Sequence, residues 1–359
     1  MTLPLQVFHI IFKVEIVGSS PTMTEEIRNM KIAFFDTHSY DKQSFTLANE
    51  NFKYKIDFKD YKLNENTAMT AKGYDVVCVF VNDVVNEAVI NTLKECGVKL
   101  IALRCAGFNN VDLKAAAAAG IKVVRVPAYS PYAVAEHGVA LLMSLTRHTP
   151  QAYLRTKTAN FNIEGLTGRD LHGLTAGILG TGKIGRIMGD ILKGFGMKII
   201  AYDVYPNKEW AQKNDVEYVT LEEIFKQSDV LSLHCPLTEE TKHIVNHDSM
   251  KMMKHDAVII NTGRGALIDS KALVHALKHG HIGGIGMDVY EEESKYFFSD
   301  WSTDIMTDDV LARLLTFPNV IITGHQAFLT TNALKNLADT TLENIKAFKA
   351  GEELVNEVK

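Results

Sequence analysis

Three kinds of side chain that can bind an anion or move a proton occur late in this 359-residue chain, each just after a short run of β-forming residues. Arg264 lies in Asn261-Thr262-Gly263-Arg264-Gly265, after Ala257 to Ile260; Glu291, Glu292 and Glu293 follow the run ending Met287-Asp288; His325 lies in Gly324-His325-Gln326-Ala327-Phe328, after Val320 to Thr323. A planar guanidinium can clamp a carboxylate through two parallel bonds. An imidazole gives and takes a proton near neutral pH, and a carboxylate beside it favours the protonated form. Reducing a ketoacid needs a cation for the substrate carboxylate, a proton donor for the carbonyl oxygen and a group that keeps the donor protonated. Spacing alone does not choose among the three glutamates. Taken singly, each residue also fits a plain structural role: a salt-bridging arginine, an acidic surface turn, a core histidine.

The hydride source is written more specifically. Ala176-Gly177-Ile178-Leu179-Gly180-Thr181-Gly182-Lys183-Ile184-Gly185-Arg186 reads as a strand that turns through GxGxxG into a helix. Gly180 permits the tight turn, Gly182 lets a pyrophosphate approach the backbone, and Gly185 lets helix and strand pack closely at a helix N-terminus that attracts phosphate. The next strand ends in Tyr202-Asp203, where a carboxylate would bond the ribose hydroxyls. Asp203 would also repel a 2′-phosphate, and Val204-Tyr205-Pro206 offers no arginine, so the cofactor expected is NAD rather than NADP.

Other conspicuous residues read as quiet. His275, His279 and His281 lie together, but Gly280 ends their helix and no acidic third ligand is near, so no metal site is expected. Glu136 and His137 on a long apolar helix read as interdomain bonding, and Met250, Met252 and Met253 as packing. Cys78, Cys96, Cys105 and Cys235 are scattered without metal or CxxC spacing, which fits reduced thiols in a cytoplasmic protein. A net charge of -5 leaves no basic stripe for nucleic acid. No apolar run reaches the roughly 18 residues that span a bilayer. Met1 to Ser20 is apolar but broken by Lys13 and Glu15, and it lacks a basic n-region, so it is not read as a secretion signal.

The elements that must hold these residues alternate as strand and helix, the signature of parallel α/β sheets. Strands are predicted at Lys31 to Asp36, Val76 to Val81, Leu100 to Leu103 and Lys122 to Val126, with helices at Asn86 to Lys94 and Leu113 to Ala119. Pro127 breaks the last strand, and Ser130-Pro131 supplies an N-cap and a first-turn proline for a helix through about Arg147. A second series follows at Ala176 to Leu179, Lys198 to Tyr202, Val230 to His234, Ala257 to Ile260, Gly283 to Met287 and Val320 to Thr323. The polar stretch Thr156 to His172 reads as a loop or an arm gripping a partner subunit, so a homo-oligomer, dimer or tetramer, is expected. Residues after His325 are too few for a new domain and are predicted to form a helix returning to the first one. Residues 1–29 precede the first good strand and read as an extension outside the fold.

With the motifs in place, the chain resembles the D-isomer-specific 2-hydroxyacid dehydrogenases, most closely the bacterial fermentative D-lactate dehydrogenases, from Met30 to the C-terminus. The resemblance rests on LRCAGFNNVDL at 103–113, VRVPAYSP at 124–131, GILGTGKIG at 177–185, LHCPLT at 233–238, NTGRGALID at 261–269, GMDVYEEE at 286–293 and GHQAFLT at 324–330. It implies two Rossmann-like, doubly wound parallel-sheet domains separated by a cleft: a discontinuous substrate domain of residues 30–129 and 328–359, and an NAD-binding domain of residues 130–327. It implies that Arg264 binds the substrate carboxylate, that His325 is the proton donor and that Glu293, by the family's spacing, is the carboxylate behind it. Lys183, Ile184, Asp203, Cys235, Pro236, Thr241, Thr262, Gly263 and Asp288 would line the cofactor site, with Asp288 near the carboxamide. Ala106 and Gly107 would hold the substrate carboxylate through their backbone, and Phe80, Tyr129 and Phe328 would wall the pocket. Bulky aromatic walls suit a methyl-sized substituent and hence NADH-dependent reduction of pyruvate to D-lactate. Some relatives carry tyrosine at the Phe80 position, and phenylalanine lacks the hydroxyl that such a tyrosine could offer to substrate. The alternatives are a relative acting on a larger acid, such as phenylpyruvate, hydroxyisocaproate or glycerate, and an NAD-sensing corepressor-like binding protein.

Overall fold

The computed structural model describes residues 30–359, so the expected extension at 1–29 lies outside the described residues. Two parallel sheets carry the fold. The first has the order β2-β1-β3-β4-β5, with β1 at Lys31–Phe34, β2 at Lys55–Phe58, β3 at Val76–Val79, β4 at Leu100–Leu103 and β5 at Lys122–Val124. Its central strands are buried on both faces, as helix-covered parallel strands must be, which is why their sequences are unbroken apolar runs. The edge strand β2 was not anticipated: Lys55-Ile56-Asp57-Phe58 is mixed in polarity and only partly buried. Helices α1 (Ser39–Ala48), α2 (Glu87–Glu95) and α3 (Leu113–Ala119) cover this sheet. Asn86 and Asp112 cap the last two by accepting from the backbone N–H three residues on.

Ser130 does the same for α4 (Pro131–Arg147), with Pro131 in its first turn, and α5 (Thr149–Lys157) follows. Residues 158–174 contain no helix or strand; the Arg155 guanidinium holds part of the segment by donating to the carbonyls of Asn162 and Glu164.

The second sheet has the order β12-β11-β10-β9-β6-β7-β8. Its strands are β6 (Thr175–Leu179), β7 (Lys198–Tyr202), β8 (Glu217–Tyr218), β9 (Val230–Leu233), β10 (Val258–Asn261), β11 (Gly284–Met287) and β12 (Val320–Ile322). Helices α6 (Lys183–Gly194), α7 (Lys208–Asn214), α8 (Leu221–Gln227), α9 (His247–Met252), α10 (Ser270–Lys278) and α11 (Asp309–Leu314) alternate with them. The chain reverses its direction of travel across the sheet between β6 and β9, and ligands of open parallel sheets bind beyond the strand C-termini at such a switch point. Finally α12 (Thr331–Ala350) packs on α1 and β4, and the C-terminus pairs with β5, the Val358 N–H donating to the Val123 carbonyl.

The four cysteines are free thiols, three of them buried. Among the described residues no helix is long and apolar enough to cross a membrane. Nor is any group of three or more His, Cys, Asp or Glu arranged to hold a metal ion. The His275 and His279 rings lie 4.2 Å apart, with His279 Nδ1 turned to the His275 carbonyl.

Candidate active site

Loops from the C-terminal ends of both sheets enclose a cavity of about 660 Å³. Phe80 follows β3, Ala106 and Gly107 follow β4, and Tyr129 precedes α4; they face Cys235 and Pro236 after β9, Thr262, Gly263 and Arg264 after β10, Asp288 and Glu293 after β11, and His325 and Phe328 after β12. A hollow of about 180 Å³ adjoins it, lined by Gly182, Lys183 and Ile184 against Ala106 and Tyr129. Among the residues expected at the cofactor, Gly180, Gly185, Asp203 and Thr241 stand outside both walls. The two glycines and Asp203 shape the turn beside the hollow, and the Thr241 hydroxyl donates to the Pro236 carbonyl at 2.6 Å.

The glutamates left open by spacing separate in three dimensions. Glu293 Oε1 meets His325 Nδ1 at 2.8 Å, while its Oε2 accepts the Tyr290 N–H at 2.9 Å. Glu291 instead pairs with His243 Nε2 at 2.5 Å and accepts from the Ser270 N–H, and Glu292 is exposed. With Nδ1 committed, Nε2 is the nitrogen His325 can present to a ligand. His325 has φ +55°, a left-handed conformation uncommon outside glycine, and its N–H donates to the Asp288 carbonyl at 2.8 Å.

Arg264 rides on a turn stiffened by Asn261, whose side chain donates to the Arg264 carbonyl and accepts the Gly263 N–H. Its guanidinium reaches Gly107, which belongs to the other sheet.

Phe80, Tyr129 and Phe328 do come together: ring centroids are 5.8 Å apart for Phe80 and Phe328 and 6.3 Å for Tyr129 and Phe328. Burial pushes the Tyr129 phenol up to about 12, so it keeps its proton. Burial likewise raises the Cys235 thiol to about 12, leaving it unreactive, and lowers His234 to about 4, leaving that cavity-lining imidazole neutral.

Sequence reasoning missed several residues. Phe298, at φ +65°, lies 5.7 Å from the His325 ring and 5.4 Å from Phe80, bridging the two sides of the cleft; no periodicity in its loop marks it. His234 stood in a recognised motif directly after a strand and could have been found. His137 was read as an interdomain contact, yet it bonds Thr323 and approaches Asp288 beside the sheet on which its own helix packs, and Glu136 faces solvent.

The turn after β6 fits a dinucleotide. Gly180 has φ +96°, and a Cβ there would strike the backbone of Cys235; a Cβ on Gly185 would overlap the Gly180 carbonyl oxygen. Beside the position a Gly182 Cβ would take there is only open space, so this backbone is free for a phosphate to approach. Asp203, at the end of β7, accepts from the Thr181 N–H at 2.5 Å and the Tyr205 N–H at 2.9 Å, tying the acidic strand end to the glycine turn. Thr262 Oγ1, in the cavity wall, is buried without a protein partner, as expected of a group that serves a ligand.

Comparison with known proteins agrees with this fold. The family pattern for the D-isomer specific 2-hydroxyacid dehydrogenase, NAD binding domain, matches residues 139–327. D-lactate dehydrogenase of Escherichia coli strain K12 is 53% identical over 329 residues, covering 92% of this chain and all of that one. Among solved structures, the apo form of D-lactate dehydrogenase from Escherichia coli superposes with a TM-score of 0.85 at 51% identity, covering 92% of this chain and 100% of that one. The pyruvate reductase of Chlamydomonas reinhardtii superposes with a TM-score of 0.88 at 41% identity, covering 92% and 99%. The chain therefore belongs to the D-isomer specific 2-hydroxyacid dehydrogenases, oxidoreductases of two parallel-sheet α/β domains with NAD as cofactor.

Proposed function

We propose that this enzyme reduces pyruvate to D-lactate in the cleft between a substrate domain of residues 30–129 and 328–359 and an NAD-binding domain of residues 130–327. One observation carries the reading: Arg264, the Glu293-bonded His325 and the aromatic walls Phe80, Tyr129 and Phe328 share a single cavity. The relatives named for D-lactate and pyruvate support the same substrate.

Arg264 clamps the ketoacid carboxylate, with the backbone at Ala106 and Gly107 holding it from the facing loop. His325 Nε2 delivers its proton to the carbonyl oxygen, while Glu293 orients the ring through Nδ1. The aromatic walls leave room for a methyl group and exclude water from the reacting carbon. NADH would supply the hydride; Gly180, Gly182 and Gly185 would shape its phosphate turn, and Asp203 would bond its ribose. Lys183, Ile184, Cys235, Pro236, Thr262, Gly263 and Asp288 would complete its surroundings, with Thr241 holding the Pro236 carbonyl from outside the cavity wall.

Tyr153, Leu154, Phe161 and Ile163 are all largely exposed, and we assign this apolar strip around the 158–174 arm to contact with a second copy of the chain. A cytoplasmic location fits the unpaired cysteines.

The test is oxidation of NADH against a panel of 2-ketoacids with chiral analysis of the product. Pyruvate should give the highest kcat/KM and yield D-lactate. A preference for phenylpyruvate would move the substrate to a larger acid. NADH binding without turnover of any ketoacid would favour the corepressor-like reading.

A further inference from the structure

The turn that presents His325 is held from behind by three side chains that no sequence pattern connects: His137 on α4, Asp288 after β11 and Thr323 after β12. Asp288 is buried. Its Oδ1 accepts from the Thr323 hydroxyl at 2.5 Å and the Gln326 N–H at 2.9 Å, and its Oδ2 accepts from the Ala327 N–H at 2.7 Å. Its carbonyl accepts from the His325 N–H. One residue therefore takes hydrogen bonds from 323, 325, 326 and 327.

The direction of the remaining contact follows. The Thr323 hydroxyl proton is committed to Asp288, so the 2.9 Å contact between His137 Nε2 and Thr323 Oγ1 must be donated by His137. The same nitrogen lies 3.4 Å from Asp288 Oδ1. Donation runs from His137 to Thr323 to Asp288. Burial alone would raise the Asp288 carboxyl, but these donors outweigh it and hold the group below its ordinary value, as a carboxylate able to accept from the whole turn. α4 packs on the second sheet, where a Cβ on Gly138 would meet the side chains of Ile260, Met188 and Thr262 at ordinary packing distances of 3.4–3.7 Å.

Such a clamp meets a physical need. A histidine at positive φ is strained, and strain of this kind persists only where neighbouring contacts over-determine the conformation. Glu293 fixes how the His325 ring points but not where its backbone stands.

We propose that His137 is a positioning residue for the proton donor, acting through Thr323 and Asp288 to lock the His325 turn against the cavity. The proposal rests on the reading of His325 as donor. It makes His137 and the Thr323 hydroxyl necessary for proton delivery, although neither belongs to the Arg264–Glu293–His325 set.

The experiment compares Thr323→Val, which is isosteric but cannot relay the bond, with Thr323→Ser, which can, and His137→Leu with His137→Gln, whose amide nitrogen can replace Nε2. The readouts are kcat, KM for pyruvate, Kd for NADH, melting temperature and the solvent deuterium isotope effect on kcat. The Val and Leu variants should lose about ten- to a hundredfold in kcat, with KM and Kd changed by no more than about threefold, because a small displacement of a reacting group is costly. Their solvent isotope effect should rise as proton delivery becomes limiting, and the Ser and Gln variants should recover most of the turnover. If His137→Leu does not fold, the Thr323 pair decides. A Thr323→Val enzyme with wild-type kcat and isotope effect but a lower melting temperature would overturn the proposal, since the clamp would then serve stability alone. His325→Gln is measured alongside. If it retains turnover, the donor assignment itself fails; if it is inactive while Thr323→Val is not, only the positioning role fails.

Discussion

The Arg264 guanidinium stands with Nη2 3.0 Å from the point where a Cβ on Gly107 would lie. The two residues follow strands of different sheets, so the proposed carboxylate clamp closes across the cleft against bare backbone. Gly107→Ala should therefore displace the end of a flexible side chain rather than disturb the fold. We expect KM for pyruvate to rise about tenfold, with Kd for NADH and melting temperature near wild type, because one charge-assisted bond is lost or distorted. Steady-state kinetics with fluorescence titration of NADH checks this. An unchanged KM would remove Gly107 from the carboxylate site.

Glu291 and Glu293 offer a matched pair of substitutions in one acidic run. Glu293→Gln replaces the carboxylate that holds His325 Nδ1, so the ring loses its fixed orientation and kcat should fall about ten- to a hundredfold. Glu291→Gln alters only the contacts with His243 and Ser270, and should leave kcat intact while costing about 1 kcal/mol of stability. Steady-state kinetics and thermal melts of both variants decide the matter. Equal kcat for the two would dismiss Glu293 from its role.

Gly185→Ala tests the phosphate turn. The added methyl group meets the Gly180 carbonyl oxygen, which is backbone and cannot swing away. A loss on the order of 2–3 kcal/mol is expected from this overpacking, together with loss of NADH binding because the turn is displaced. Denaturant titration and NADH fluorescence would show whether the two losses appear together. Retained NADH affinity would mean that the turn tolerates the shift.

His234 predicts a pH dependence of stability. Burial lowers it from 6.5 to about 4, so between those values the unfolded chain binds a proton that the folded chain refuses. Stability rises with pH wherever the unfolded state holds more protons. The His234 contribution is thus present above pH 6.5 and is lost as pH falls toward 4. His234→Asn cannot titrate, so its melting temperature should fall less than that of the wild type between pH 7 and pH 5. A parallel decline of the two would place the acid sensitivity elsewhere.

How much of this was readable in advance follows from how local each signal is. The apolar runs of β3, β4, β6, β9 and β11 are buried on both faces, and burial of that kind leaves a continuous hydrophobic stretch in the sequence. Glycines are informative for a related reason: Gly180 and Gly185 sit where backbone meets backbone, and the requirement appears in the residue type itself. The edge strand β2 and helix α5 were not read, since each is only partly buried and its pattern is diluted by residues that face water.

The site divides along the same line. Arginine, glutamate and histidine types, each just after a strand, pointed from sequence to a ketoacid reductase without choosing it over plain structural roles, and the glycine turn with Asp203 pointed to NAD, because strand ends of a parallel sheet converge on one crevice. Spacing left open which carboxylate meets His325 and the resemblance implied Glu293; the physical reason lies in the tertiary structure, where Glu291 and Glu293 are two residues apart in the chain, yet the turn sends one to His243 and the other to His325. Phe298 against His325, and His137 behind Thr323, are likewise contacts between segments distant in sequence. Their geometry depends on how α4 and the loops after β11 and β12 pack over the sheet, and no local periodicity records it.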